Sequence, residues 1–122
     1  MKLGIRELEP LFDRSGQLYA WLQDRTDYIF GRSGEPLALI VGGHVYDWHG
    51  RHLGWWDHGH MRDHEGAVCV FTRNAGGIIV AKPGLGGTQG YPGVRSVTGH
   101  PGMQCSPGRP ANTGAWSKAI PF

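Results

Sequence analysis

The side chains best suited to chemistry are histidines, and six of the seven lie between residues 44 and 64. In an extended strand, His58 and His60 would point to the same face, two residues apart. Imidazole is a preferred ligand of zinc, nickel and copper, so these two residues with His44 form a candidate transition-metal site. The alternative is that residues 57–60 form a hairpin tip, where polar side chains gather in solvent. Spacing alone does not supply four ligands in correct geometry, and no other cofactor is predicted.

A second cluster in the same part of the chain is aromatic. Trp55 is expected in the core, whereas Trp56 points to the opposite face of its strand and Trp48 lies in a turn. Exposed indoles beside Arg51 resemble a stacking surface for a sugar, a base or a proline-containing peptide. The candidate ligand-binding residues are therefore Trp48, Arg51 and Trp56. The alternative is that prolines of the C-terminal stretch cover and bury the two tryptophans.

Signatures of enzymes are missing from the sequence. The glycine clusters near residues 76 and 86 do not open an amphipathic helix, as a phosphate-binding loop requires. No serine lies in a nucleophile elbow, and Cys105 has no argued base partner. The sequence therefore favours a non-enzymatic class, and no catalytic residue is predicted.

These side chains are positioned by a repeated unit that ends at glycines 16, 34, 50 and 66, spaced 18, 16 and 16 residues apart. In three copies an Asp precedes the glycine by three residues. Gly31 replaces it in the second copy, so that turn is expected to lose the side-chain bond but keep its glycine. Such an Asp accepts hydrogen bonds from backbone N–H groups two residues on, while the glycine takes the left-handed conformation. The pattern predicts a type I turn with a bulge that closes a hairpin. The predicted turn residues are Asp13, Gly16, Gly34, Asp47, Gly50, Asp63 and Gly66.

A strand with period-two alternation follows each turn. The residues three and five places past the glycine are mostly large, as in Tyr19 and Trp21, and are expected to face inward and fill a core. The residue between them is small in three copies, Ala20, Ala38 and Gly54, which would let another backbone approach closely.

Repetition of this unit predicts an all-β fold. Short turns make every strand antiparallel to its neighbour, and four equal hairpins share a core only by converging around a pseudo-four-fold axis, as a closed flower or barrel. The predicted divisions are a lead-in over 1–10, a four-repeat domain over 11–81 and a Gly/Pro-rich tail over 82–122. The repeats fall at about 11–27, 28–43, 44–59 and 60–76, with a half-repeat at 77–81 that is expected to supply one last strand.

Composition separates the tail from the body. Residues 82–122 hold nine glycines, six prolines and four basic residues without an acid, whereas residues 1–81 hold ten acidic and eight basic residues. The net charge of +2 is too small to favour nucleic acid. Trp116 and Phe122 are candidate anchors for an irregular tail, with a protein partner or self-association through residues 82–122 as its role. Cys69 and Cys105 pair or stay free; the sequence does not decide.

The N-terminus lacks the pattern of a signal peptide, and no apolar run approaches the roughly 20 residues of a membrane helix. The sequence therefore predicts a cytoplasmic protein, or one built into a particle, without membrane association.

The repeated apolar–Tyr/Phe–Asp–x–x–Gly unit, the aromatic residue five places past its glycine and the Trp116-Ser117 element in a basic Gly/Pro-rich tail resemble the bacterial four-fold beta-flower domain family. The resemblance implies four β-hairpins around a pseudo-four-fold axis, and it implies no activity. Gly31, Leu39 and Arg62 depart from the pattern and indicate unequal repeats.

Three functions stay open at this point. The first is a non-enzymatic binding or protein-interaction module. The second is a structural component of a larger assembly, of phage or secretion type, or a homo-oligomer held by the tail. The third is a histidine-based metal protein.

Overall fold

Eight strands form one closed antiparallel barrel, in which each strand pairs with the next and β8 pairs with β1. The computed structural model describes residues 8–24, 26–76, 84–86, 105 and 107–122. No helix occurs among them, so none is long and apolar enough to cross a membrane. The all-β, four-hairpin prediction is confirmed. The strands are β1 Leu8–Phe12, β2 Leu18–Gln23, β3 Tyr28–Gly31, β4 Pro36–Val41, β5 His44–Asp47, β6 His52–Asp57, β7 His60–Arg62 and β8 Val68–Phe71.

The first strand extends into the predicted lead-in. It begins at Leu8 because Leu8, Glu9 and Pro10 pair with Gln23, Leu22 and Trp21 of β2. The predicted half-repeat at 77–81 lies outside the described residues. The ring closes without it, through a Phe12–Phe71 pair between β1 and β8.

A carboxylate closes the hairpin turns. Asp13 Oδ1 accepts hydrogen bonds from the backbone N–H groups of Ser15 at 2.9 Å and Gln17 at 3.1 Å. Gly16 donates its N–H to the Asp13 carbonyl at 2.9 Å and takes a φ of 78°. Asp47 and Asp63 make the same pairs of bonds in the third and fourth hairpins. In all four hairpins the register shifts by one residue beside the turn, as a bulge does.

The second hairpin obtains its carboxylate from a different residue. Gly31 has no side chain, and Glu35 Oε1 accepts the N–H of Ser33 at 3.2 Å. A Cβ atom at Gly31 would lie 2.5 Å from the Glu35 carboxylate. The glutamate therefore fills the space that an aspartate occupies in the other three turns. This substitution corrects the sequence-based view that the second turn simply lacks its side-chain bond.

The barrel axis is lined by a face that the sequence pattern misassigned. Ala20, Ala38 and Val70, four places past their glycines, belong to the central core with the buried residues Leu11, Ile29, Val45, Leu53, Met61 and Cys69. Trp21 and Phe71, five places past, are buried in separate clusters outside it. The sequence pattern predicted that the large residues three and five places past each turn glycine face inward. This prediction was wrong for the residue five places past. An eight-stranded barrel has a narrow interior, so the small residues face the axis and the large ones pack outside.

Close backbone approach, expected at the small residue, occurs at Gly54. A Cβ atom there would lie 2.1 Å from the Arg62 carbonyl oxygen, well inside van der Waals contact. Gly54 thus fixes how closely β6 and β7 approach each other.

Gly54→Ala should lower the free energy of unfolding by about 3 kcal/mol, because the new methyl group forces β6 and β7 apart. Gly76→Ala is the matched control: a Cβ atom there would have no neighbour within 4 Å, so its effect should stay within about 0.5 kcal/mol. Urea unfolding followed by tryptophan fluorescence measures both. An equal loss of unfolding free energy in the two variants would contradict the close approach of Gly54 to the Arg62 carbonyl.

Glu35→Ala should lower the free energy of unfolding by about 1 kcal/mol, since the Ser33 N–H loses its acceptor. Adding Gly31→Asp to that variant should restore most of the loss, because the aspartate then accepts the turn N–H groups as in the other hairpins. Gly31→Asp alone should give no such gain, because its carboxylate competes with Glu35 for one space. Urea unfolding of the three variants tests this, and additive effects would disprove the substitution of one carboxylate for another.

Candidate functional site

The three histidines predicted to bind metal lie in different surroundings. His58 is an exposed residue of the hairpin tip, with a φ of 49°, and its Nδ1 lies 2.5 Å from Asp57 Oδ1. His60 is fully buried, and its Nε2 accepts a hydrogen bond from Arg62 Nε at 3.2 Å. His44 contacts His52 instead of either of them. The structure therefore does not bring His44, His58 and His60 to one point.

A different set of histidines forms a chain across the third and fourth hairpins. His44 Nδ1 lies 3.1 Å from His52 Nε2, and His52 Nδ1 lies 2.9 Å from His64 Nε2. The rings of His52 and His64 are stacked, with centroids 5.1 Å apart, and both contact the Trp55 indole edge-to-face. Each nitrogen of His52 faces a different partner, so the chain is linear. Within the described part of the chain, no three His, Cys, Asp or Glu side chains are placed to hold a metal ion.

Burial makes two of these imidazoles poor bases. Burial, followed by the neighbouring His64 and His44, lowers the pKa of His52 to about 4. Burial and then the Arg62 guanidinium lower the pKa of His60 to about 4. The Nδ1 of His60 has no hydrogen-bond partner among the described residues. Both rings are therefore neutral near pH 7.

The predicted stacking surface is not assembled either. Trp48 packs edge-to-face on Tyr28 of the second hairpin, with ring centroids 5.1 Å apart. Trp56 is half-buried and packs against the central core from the other end of β6. Arg51 extends from the turn, largely exposed, and its Nε contacts Asp47 Oδ2 at 3.3 Å. The three predicted ligand-binding residues therefore do not form one surface: Trp48, Arg51 and Trp56 each have different contacts. Both indoles are half-buried against the barrel.

The two cysteines are free in the structure. Cys69 is buried in the central core, and Cys105 is exposed. Burial raises the pKa of the Cys69 thiol to about 12, so this group is not a nucleophile at neutral pH.

The most developed site is the place where the tail meets the fourth hairpin. Val68 pairs in parallel with Trp116: its N–H donates to the Ala115 carbonyl at 3.0 Å, and its carbonyl accepts the Ser117 N–H at 2.8 Å. The Thr113 N–H donates to the Gly66 carbonyl at 3.1 Å. We call this groove on β8 and its turn, which holds residues 113–117, the tail seam.

An aromatic slot receives the tail tryptophan. The Trp116 ring lies 5.7 Å from that of Phe71, and it packs on the cluster of Phe12, Phe71 and Ala75. Phe12 and Phe71 are the pair that closes the barrel. The tail therefore packs on the joint between the first and last strands.

A carboxylate receives the tail serine. Ser117 is buried, and its hydroxyl donates to Asp63 Oδ2 at 2.6 Å. The other oxygen of Asp63 already accepts the N–H groups of Glu65 and Ala67. One aspartate thus forms the turn and binds the tail.

Arg62 connects the same two parts. It is fully buried and occupies the place of Phe12, Phe30 and Tyr46 in the other hairpins. Its Nη1 donates to the Gly66 carbonyl at 2.6 Å and to the Thr113 carbonyl at 2.9 Å. Burial lowers its pKa from the usual value. The sequence marked Arg62 as a departure from the aromatic pattern, and the tail contact explains that departure.

Other described residues of the tail also contact the body. Ile120 and Phe122 pack against the central core, and the Tyr19 hydroxyl donates to the Phe122 carbonyl. Arg109 bonds Asp57 at 3.2 Å and lies 5.9 Å from the Trp55 ring centre. Sequence reasoning named Trp116 and Phe122 as anchors, but it did not identify Val68, Asp63 and Phe71 as their receivers. In the sequence these three residues fit the strand and turn patterns of the repeat, and nothing further marks them as contacts of the tail.

Comparison with known protein families gives a match over most of the chain. A family model described as "4-fold beta flower protein" matches residues 9–120, which includes both the barrel and the tail seam. No curated protein and no solved structure matches the chain.

The buried histidines predict a pH dependence. Unfolded histidines protonate near pH 6.5, whereas His52 and His60 stay neutral in the folded protein down to about pH 4. The unfolded state binds more protons between these values, so the free energy of unfolding should fall as the pH drops from about 6.5 to about 4. In the His52→Gln variant, the free energy of unfolding measured by urea titration should fall less steeply over that pH range.

The control is Gly76→Ala, which removes no titratable group and should keep the wild-type slope. A His52→Gln variant with the same slope as wild type would contradict the depressed pKa.

Proposed function

The chain belongs to the 4-fold beta flower protein family, and from that premise we propose that it is a non-enzymatic interaction module whose barrel binds a polypeptide segment. The observation that carries the proposal is the tail seam. There, residues 113–117 lie beside β8 with a bend at Gly114 and Ala115, and the N–H and carbonyl groups of Val68 both form hydrogen bonds to this segment. Addition of a strand to an available sheet edge is a common mode of peptide recognition.

The barrel has its fewest paired residues between its last and first strands. β8 and β1 share a single residue pair, whereas the other neighbouring strands share three to five. The backbone of Val68 is therefore available to a further segment. Unpaired backbone groups at a sheet edge readily pair with another chain, and here the tail takes that role.

Several described side chains that are capable of chemistry have structural uses, which supports binding over catalysis. Asp13, Asp47 and Asp63 hold turns. The thiol of Cys69 is buried with a raised pKa, and the ring of His60 is enclosed. None of these groups is activated for nucleophilic or general-base catalysis.

The second candidate is an assembly component whose tail lies on a neighbouring copy, as in a phage or secretion particle. Residues 77–112 connect the barrel to the tail seam and are rich in glycine and proline. Fully extended, they would span roughly 120 Å. A connector of this length favours this candidate because it permits the same contacts between copies. A metal function receives no such support, since His44, His58 and His60 lie apart.

Cleavage of the connector tests the module. A protease site inserted between residues 95 and 96 would allow the folded, full-length protein to be cut once. If the seam binds polypeptide as a ligand, the tail piece should co-elute with the barrel in gel filtration at about 10 µM, which requires a micromolar or tighter affinity.

The same cut in a Trp116→Ala variant should release the tail piece, because the aromatic slot is empty. Separation of the wild-type pieces at this concentration would disprove the proposed function. Light scattering gives the mass of the uncut and the cut protein. An oligomeric uncut protein and a monomeric cut protein would favour the assembly instead.

A further inference from the structure

We propose that the tail seam is selective for Trp followed by Ser, and that its second occupant is the tail of another copy of this chain, exchanged reciprocally. The inference rests on the proposed function and gives it a partner. Three features support it: the contacts of Trp116 with Phe71 and of Ser117 with Asp63, the hydrogen bond from Arg62 to the Thr113 carbonyl, and the length of the connector.

The tryptophan is selected by size and shape. Its receiver is the Phe12–Phe71 pair, whose rings are 6.0 Å apart and tilted by 40°, with Ala75 beside them. Arg73 lies over Phe12 at 5.2 Å from the ring centre and borders the same cluster. Truncation of a large aromatic in such a slot leaves an apolar cavity, so the affinity should fall by about tenfold or more.

The serine is selected by one carboxylate oxygen. Asp63 Oδ2 accepts the Ser117 hydroxyl, while Oδ1 is held by two backbone N–H groups, so the carboxylate has a fixed orientation. At the equivalent Asp47, that oxygen accepts Arg51 Nε. The fourth hairpin thus differs from the third in presenting this oxygen to the tail. A residue without a hydroxyl would lose this hydrogen bond to a partly buried carboxylate.

The segment before the tryptophan is held mainly by its backbone. Arg62 Nη1 bonds the Thr113 carbonyl, and Gly66 lies so close that a Cβ there would be 2.2 Å from the Ala111 carbonyl oxygen. The Thr113 hydroxyl adds a hydrogen bond to the Gly66 carbonyl at 3.3 Å, and together these contacts fix the direction of the segment. They place Trp116 and Ser117 at their receivers.

A second copy necessarily carries the same segment. In a reciprocal exchange each tail would lie on the partner barrel and every seam contact would be kept, which is the low-cost route of domain swapping. The balance between the two forms depends on the connector. Covalent tethering gives the tail an effective concentration near its own seam of about 1 mM, so exchange should become visible only as the protein concentration approaches that value.

The first arm of the test uses a fluorescein-labelled peptide of residues 111–122. It should bind the full-length Trp116→Ala protein at least about tenfold more tightly than wild type, whose own tail competes. Peptides with Trp116→Ala or Ser117→Ala should each lose about tenfold or more in affinity. A peptide with Lys118→Ala is the matched control, because Lys118 is exposed, and should bind normally.

The second arm measures mass by light scattering after incubation at about 10 µM and about 1 mM. Wild type should form a dimer at the higher concentration, and Trp116→Ala should not. A monomer at both concentrations overturns the exchange, and equal affinity of the three substituted peptides overturns the selectivity. In either case co-elution of the cut wild-type pieces would leave the proposed function intact, whereas their separation removes both proposals.

Discussion

The fold depends on a carboxylate oxygen that accepts backbone N–H groups at each hairpin turn, two in the aspartate turns and that of Ser33 in the second. This bond, with a left-handed glycine beside it, fixes the turn and places the bulge, and the bulge decides which residues of the following strand face the axis. The constraint is strong enough to survive loss of the residue that usually meets it. Where Gly31 stands in place of aspartate, a carboxylate from Glu35 enters the same space. The position of the carboxylate is thus kept, while the residue that supplies it changes.

The same carboxylate connects the fold to its most developed site. In the fourth hairpin, Asp63 uses one oxygen for the turn and the other for Ser117. Arg62, in place of an aromatic residue, bonds both the turn carbonyl of Gly66 and the tail carbonyl of Thr113. Arg62, which departs from the repeat, and Asp63, which bonds Ser117, are adjacent, and both contact the tail. A symmetric barrel has four equivalent grooves, and these substitutions make one of them different.

The histidines show how burial changes the meaning of a composition. Their concentration in the third and fourth hairpins resembles a metal site in sequence, yet His60 is enclosed beside Arg62, and His52 joins His44 to His64 in a line. Desolvation keeps the buried rings neutral, so their effect falls on stability in acid. Trp55 packs in the same cluster, and the tail reaches it through Arg109.

The sequence by itself determined the four hairpins, their antiparallel order and the closed all-β ring, because Asp-x-x-Gly turns and period-two strands are local signals. It also marked Trp116 as an anchor and Arg62 as an exception. Only the tertiary structure decided that Ala20 faces the axis while Trp21 packs outside, since the width of a closed barrel is a property of all eight strands. It alone joined Asp63 to Ser117 and Phe71 to Trp116, because pairing across some fifty residues depends on where the ring closes.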